Sequence, residues 1–164
     1  MARILIGGFG SRYRRDDHVG ALVAVAVAGD LADVGDVELI GPFSDPLDLL
    51  GHWDLADLVV LIDATRSGSS PGSLHVIEVR DRPSSTGPSR DEHGVGPTST
   101  HGLGLSDVWR LADAVGQAPR RVVLVGIEGQ SFGYGEGLSP AVAHSVPRAV
   151  RRVETLINEV LSCA

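Results

Sequence analysis

The sequence predicts an α/β protein, a three-layer α/β/α sandwich around a mostly parallel sheet of about five strands, with residues 1–164 as one domain. Three observations carry this. Short unbroken apolar runs such as Ile4-Leu-Ile6 and Leu58-Val-Val-Leu-Ile62 end in glycine or aspartate, as strands buried on both faces do. Longer stretches with helical spacing of Val, Leu and Ala alternate with them. The 164 residues are 43% apolar but only 4% aromatic, enough for one core made of Val, Leu, Ile and Ala.

In chain order, Arg3-Ile-Leu-Ile-Gly-Gly-Phe-Gly10 reads as a buried strand entering a tight turn. A helix is predicted from His18 to about Ala32, with Asp16 or Asp17 near its N-cap and Leu22, Val23, Val25 and Ala26 on its apolar face. Asp36 to Ile40 is a second strand, closed by Gly41-Pro42, and Asp45 to Trp53 a short helix with Pro46 in its first turn. Leu58 to Ile62 is the clearest central strand and runs straight into Asp63. Ser73 to Val79 alternates as an edge strand would. Residues 81–100, rich in Pro, Ser, Thr and Gly, form a loop long enough to be functional or disordered. A third helix is predicted over Gly104 to Val115, a last strand over Arg121 to Ile127, and a glycine-rich loop over Gly126 to Gly137. Ser139-Pro140 suits the N-cap and first turn of a final helix with Val146, Val150, Val153, Ile157, Val160 and Leu161 on one face, kinked or restarted at Pro147. Trp53 and Trp109 read as packing residues on helix faces. No internal repeat is present.

Composition narrows the function classes. A formal charge of −7 with no basic run argues against a nucleic-acid partner. No apolar segment is long enough to span a membrane, and no secretory leader is recognisable, so a cytoplasmic location is expected. The single cysteine, Cys163, excludes an internal disulfide and disfavours a catalytic thiol.

Three side chains stand where the strand ends would gather them. Asp17 follows the first strand, Asp63 closes the third, and His101 lies just before the third helix. If the first and third strands are neighbours, the two carboxylates share one crevice at the C-terminal edge of the sheet, and the loop ending at His101 can fold over it. Two oxygens and one imidazole nitrogen make an incomplete ligand set for a borderline cation such as nickel or zinc. Such a set binds weakly alone and tightly when a partner brings further ligands. Each residue has an ordinary use in isolation (Asp17 as a helix first-turn residue, His101 as a solvated loop residue). Their common placement on one edge joins them. His93 could approach from the long loop, while His52, His75 and His144 belong to no constellation.

These residues resemble the nickel-iron hydrogenase maturation endopeptidases over nearly the whole chain. The resemblance rests on Gly8-Phe9-Gly10, on Asp16-Asp17-His18-Val19-Gly20, on the strand ending in Asp63-Ala64, and on His101-Gly102-Leu103-Gly104-Leu105 followed by Asp107-Val108. Val125-Gly126-Ile127-Glu128 and Gly137-Leu138-Ser139-Pro140 complete it. It implies a phosphorylase/hydrolase-like fold, metal binding and catalysis by Asp17, Asp63 and His101, and nickel supplied by the substrate, with no organic cofactor. It also implies an aspartic-type endopeptidase whose partner is the hydrogenase large-subunit precursor, from which a short C-terminal tail is cut after nickel loading. Two departures stand out. Ser11 occupies a position where the family usually has Asn, and Arg12, Arg14 and Arg15 replace commoner apolar residues, which bears on which large subunit is recognised.

Two rivals remain on the sequence. Gly129-Gln130-Ser131-Phe132-Gly133 matches a nucleophile elbow, with Glu136 and His144 in triad order, although glycines rather than a helix follow Ser131. Gly8-Phe9-Gly10 could belong to a flavodoxin-like or Rossmann-type nucleotide-binding module, but Tyr13 stands where the third glycine is required. A catalytically silent relative that only docks a metalloprotein is a further reading.

Overall fold

The computed structural model describes residues 2–79, 98–99 and 104–163. The strands are β1 (Ile4–Phe9), β2 (Val37–Phe43), β3 (Leu58–Arg66), β4 (Leu74–Val79), β5 (Thr98–Ser99) and β6 (Val122–Glu128). The helices are α1 (Val19–Asp30), α2 (Leu105–Ala114) and α3 (Pro140–Cys163), with 3-10 turns at Arg15–His18 and Pro46–Leu49. Strand order is β2-β1-β3-β6-β4, and the two-residue β5 pairs with the end of β3. β1, β2, β3 and β6 are parallel, while β4 runs antiparallel beside β6. The sheet is therefore mixed, with its parallel centre as expected. The predicted adjacency of the first and third strands holds, with Gly8 opposite Ile62.

Side-chain alternation along the strands sorts the core into two layers. Ile4, Ile6, Val60, Ile62, Val123 and Val125 face α1 and α3. Leu5, Phe9, Val59, Leu61 and Leu124 face α2 and the segment carrying Leu49 and Trp53. By the same parity Asp63, Thr65 and Glu128 lie on the α2 side, one and two steps past the apolar rows. Trp53 is fully buried, but in the irregular segment after the 3-10 turn rather than on a helix face. The expected helix from Asp45 shrinks to that turn, held by a reciprocal capping box between Asp45 and Asp48.

Two helix expectations need correction. The apolar face of α1 is not the one with the largest side chains: Leu22 and Val25 are exposed, while Gly20, Ala21, Val23, Ala24 and Val27 are buried. The cause is close approach. A Cβ on Gly8 would overlap the backbone of Ala21, and one on Gly20 would overlap the carbonyl oxygen of Ile62. The small face presses the start of α1 onto the ends of β1 and β3. The final helix also continues through Pro147 without a break. Proline inside a helix costs about 3 kcal/mol. Val142 on one side and Val153, Leu156 and Ile157 on the other are buried, each contributing roughly 1.5–3 kcal/mol, so continuity wins. Pro147 and Ala143, whose carbonyl loses its helical donor, both face solvent.

Gly20→Val is expected to destabilise the protein by more than about 3 kcal/mol, because the neighbour that must move is backbone. Urea titration of the variant against Gly29→Ala, where a Cβ meets nothing, measures the difference.

Candidate active site

The C-terminal edge of the sheet carries four buried carboxylates among the described residues: Asp16, Asp17, Asp63 and Glu128. Asp16 and Glu128 fasten distant loops, whereas Asp17 holds its own turn and Asp63 lies within β3.

Asp16 is fully buried and accepts four hydrogen bonds, all from the loop before α3. The donors are Gln130 N (2.8 Å), Ser131 N (2.8 Å), Ser139 N (2.7 Å) and Ser139 Oγ (2.8 Å). Burial alone would raise its pKa, but these donors outweigh it and hold the carboxyl below the ordinary value. Its role is thus not to cap α1, whose N-cap is His18 with no side-chain hydrogen bond. The hydroxyl of Ser139, at the expected N-cap position of α3, is spent on Asp16. Glu128 does the same work on the other side. Its carboxylate accepts from Ser67 N (2.8 Å), Gly68 N (3.1 Å), Ser67 Oγ (2.9 Å) and Thr65 Oγ1 (3.1 Å), and His75 Nε2 lies 3.6 Å away. Burial raises its pKa; the Ser67 and Gly68 amides and the two hydroxyls overcome that and lower it. The sequence reading missed both roles and left His75 without company. The signal was present in Asp16 standing beside Asp17 and in a glutamate ending a buried strand.

Asp17 and Asp63 form the other pair. Asp17 sits in the 3-10 turn after β1, 6% exposed, with Ser11 N donating to its Oδ2 at 2.8 Å. A Cβ on Gly10 would overlap the Asp17 carbonyl, so that glycine, at φ +116°, lets the turn fold back on itself. Asp63 is fully buried within β3, directly after Ile62, whose carbonyl the start of α1 touches. Asp17 thus lies in the turn that follows β1, and Asp63 in the neighbouring strand β3, one residue past the Gly8–Ile62 pairing. The third member, His101, lies outside the described residues, as do His93 and most of the predicted long loop. Its flanks are placed: Ser99 pairs with Thr65, two residues past Asp63, and Gly104 leads into α2 on the same face of the sheet. Among the described residues no three His, Cys, Asp or Glu side chains come close enough to hold a metal ion alone. His18, overlooked in the sequence, follows Asp17. Burial, reinforced by Arg12 and opposed by Asp17, lowers its pKa and favours the neutral ring.

Neither rival finds its geometry. Ser131 is followed by irregular chain until Pro140, and its amide and carbonyl both bond to Asp16. His144 is exposed on α3, and Glu136 is exposed and paired with Arg12 at 3.0 Å. In the glycine turn, the Ser11 amide that would cradle a phosphate donates to Asp17 instead.

Asp16→Asn should cost about 2–4 kcal/mol in urea unfolding, since one amide end would point donors at donors in a buried site. Glu128, whose pKa is depressed by folding, contributes stability above the ordinary carboxylate value that is lost as pH falls through its folded value. Unfolding midpoints of Glu128→Gln should therefore decline less than those of the unmodified protein between neutral pH and about pH 3.5. Parallel declines would refute the role of the Glu128 cradle.

The hydrogenase maturation protease family model matches residues 23–156. The chain is 25% identical over 158 residues to the hydrogenase 2 maturation protease of Escherichia coli, covering 96% of this chain and 92% of that one. It is 28% identical over 149 residues to the hydrogenase expression/formation protein HupD of Rhodobacter capsulatus, covering 90% and 68%. Among solved structures, the hydrogenase maturating endopeptidase HybD from E. coli superposes with a TM-score of 0.72 at 24% identity, covering 96% and 93%. The [NiFe] hydrogenase maturation protease HycI from Thermococcus kodakarensis gives 0.67 at 30% identity, covering 98% and 93%. With the fold and these matches in agreement, the chain belongs to the hydrogenase maturation protease family and is a peptidase.

Proposed function

We propose that this peptidase removes a C-terminal tail from a nickel-loaded hydrogenase large-subunit precursor, and that Asp17, Asp63 and His101 recognise the substrate's nickel. The observation that supports the reading is that two buried carboxylates follow neighbouring parallel strand segments, Asp17 in the turn after β1 and Asp63 within β3 just past its pairing with β1. A carboxylate held out of water is best accommodated as a charge when a cation or hydrogen-bond donors compensate it. Hard oxygen donors and one imidazole suit a borderline metal whose remaining ligands, the precursor's cysteine thiolates, arrive with it.

In this account the protein reads metal occupancy. An empty cysteine site offers the carboxylates no positive charge, so the precursor engages productively only when loaded. Nickel on the substrate supplies Lewis acidity. The chain supplies position: the Ser11 amide fixes one oxygen of Asp17, and β3 fixes Asp63 from within the sheet. In this reading a carboxylate of the pair takes a proton from the attacking water while the scissile bond is held beside it.

Cleavage of nickel-loaded precursor is expected to fall at least about 100-fold in kcat/KM for Asp17→Asn, Asp63→Asn and His101→Ala, with Ser131→Ala near normal. Gel-shift of the large subunit with time measures it. Normal trimming by any of the first three variants would remove that residue from the site. Absence of trimming by the unmodified protein would favour a docking role without catalysis.

A further inference from the structure

The loops beside the candidate site carry a charge opposite to that of the protein. The chain as a whole has a formal charge of −7. On the segment between Gly10 and the buried pair Asp16 and Asp17, however, Arg12, Arg14 and Arg15 are all exposed, and Arg66 is exposed at the end of β3. The facing loop contributes a single exposed acid, Glu136, which Arg12 engages at 3.0 Å. Arg14 and Arg15 meet no carboxylate among the described residues. Their contacts are instead with backbone and rings: Arg14 Nε donates to Phe132 O at 3.4 Å, and its guanidinium lies 5.2 Å from the Tyr134 ring centre.

Aromatic rings are interleaved with these cations. Tyr134 is 84% exposed and Tyr13 is 63% exposed, and Arg66 stacks 3.9 Å over Phe132. Exposed tyrosine and arginine together are the residue types that dominate binding energy at protein interfaces. The platform is also built in advance. Asp16 grips Gln130, Ser131 and Ser139, and Arg15 N donates to Gly135 O while Gly135 N donates to Tyr13 O. A rigid surface loses less entropy when a flexible segment settles on it. Next to it opens a depression of about 530 Å³ whose walls include Arg66, Gln130 and Phe132.

We infer that this arginine–tyrosine platform is a docking surface for an acidic peptide segment of the protein substrate, held beside the crevice of Asp17 and Asp63. The inference rests on the proposed endopeptidase reading for the identity of the substrate, and on charge complementarity for the chemistry of the segment. A cluster of exposed cations on an acidic protein attracts anionic chain to that surface. The location follows from covalent continuity, since Ser11, whose amide holds Asp17, immediately precedes Arg12. Nucleic acid shares the anionic chemistry and the taste for aromatic rings. The overall negative charge disfavours it, and it is the competing outcome of the test.

The test has two arms on the intact protein. In the first, a fluorescein-labelled ten-residue peptide rich in Asp and Glu with one aromatic residue is titrated by anisotropy, beside its Asn/Gln counterpart and a single-stranded oligonucleotide of equal charge. The acidic peptide should bind, weaken as salt rises from about 50 to 500 mM, and bind at least about five-fold more weakly to Arg14→Glu. Arg14→Gln gives a milder loss without charge reversal, and an unchanged melting temperature in both variants shows that folding is intact. Equal binding of the neutral peptide, equal binding by Arg14→Glu, or tighter binding of the oligonucleotide would overturn the inference. In the second arm, nickel-loaded precursor is cleaved by Arg14→Glu. KM should rise at least about five-fold with kcat held within two-fold. An unchanged KM would overturn the surface as a substrate dock. If the unmodified protein cuts nothing yet the peptide arm succeeds, the endopeptidase reading fails and the acidic-segment surface stands.

Discussion

The fold at its functional edge depends on one buried carboxylate. Asp16 takes four donors from the loop between β6 and α3, and so ties the turn after β1 to the start of the last helix. Without that tie the two loops would be joined mainly by the backbone bonds of Arg15 and Tyr13 to Gly135, and the turn that carries Asp17 would be held less firmly. The expense of burying a charge is offset because every donor is a backbone amide or a hydroxyl that would itself need a partner in the interior. The same solution recurs at Glu128, which gathers the turn after β3. Structural carboxylates thus frame the pair proposed for chemistry.

This division separates functions that look alike in sequence. Asp16 and Asp17 are adjacent and both buried, yet one is saturated by the loop before α3 and the other accepts from Ser11 in its own turn. A short 3-10 turn accounts for the difference, because its tighter winding sends neighbouring side chains in different directions. Glycine supplies the remaining condition. The missing side chains of Gly8 and Gly20 allow α1 to lie against the ends of β1 and β3, which brings its preceding turn down to the sheet.

The sequence made the layered fold, the parallel centre and the adjacency of β1 and β3 readable, because buried strands announce themselves as unbroken apolar runs. It was less informative about α1, where apolar size pointed to Leu22 and Val25 but close packing selected glycine and alanine. Local pattern carries no record of interhelical distance. Of the proposed site, only chain position was legible: Asp17 follows β1 and Asp63 stands in β3 beside the end of β1, while His101 falls outside the described residues. The bonds of Asp16 to residues more than a hundred positions away could not be read from spacing, nor could the contact between Glu128 and His75. Such pairings depend on which loops the sheet brings together.

The platform of arginines and tyrosines fits the same logic. Asp16 helps to hold its loops, so the proposed docking surface and the proposed site share one anchor. X-ray absorption at the nickel edge tests the central claim most directly, comparing loaded precursor alone with precursor bound to this protein. The account predicts that binding adds oxygen and nitrogen neighbours to the nickel, and that Asp63→Asn diminishes the addition. A nickel environment identical in the free and bound precursor would contradict it.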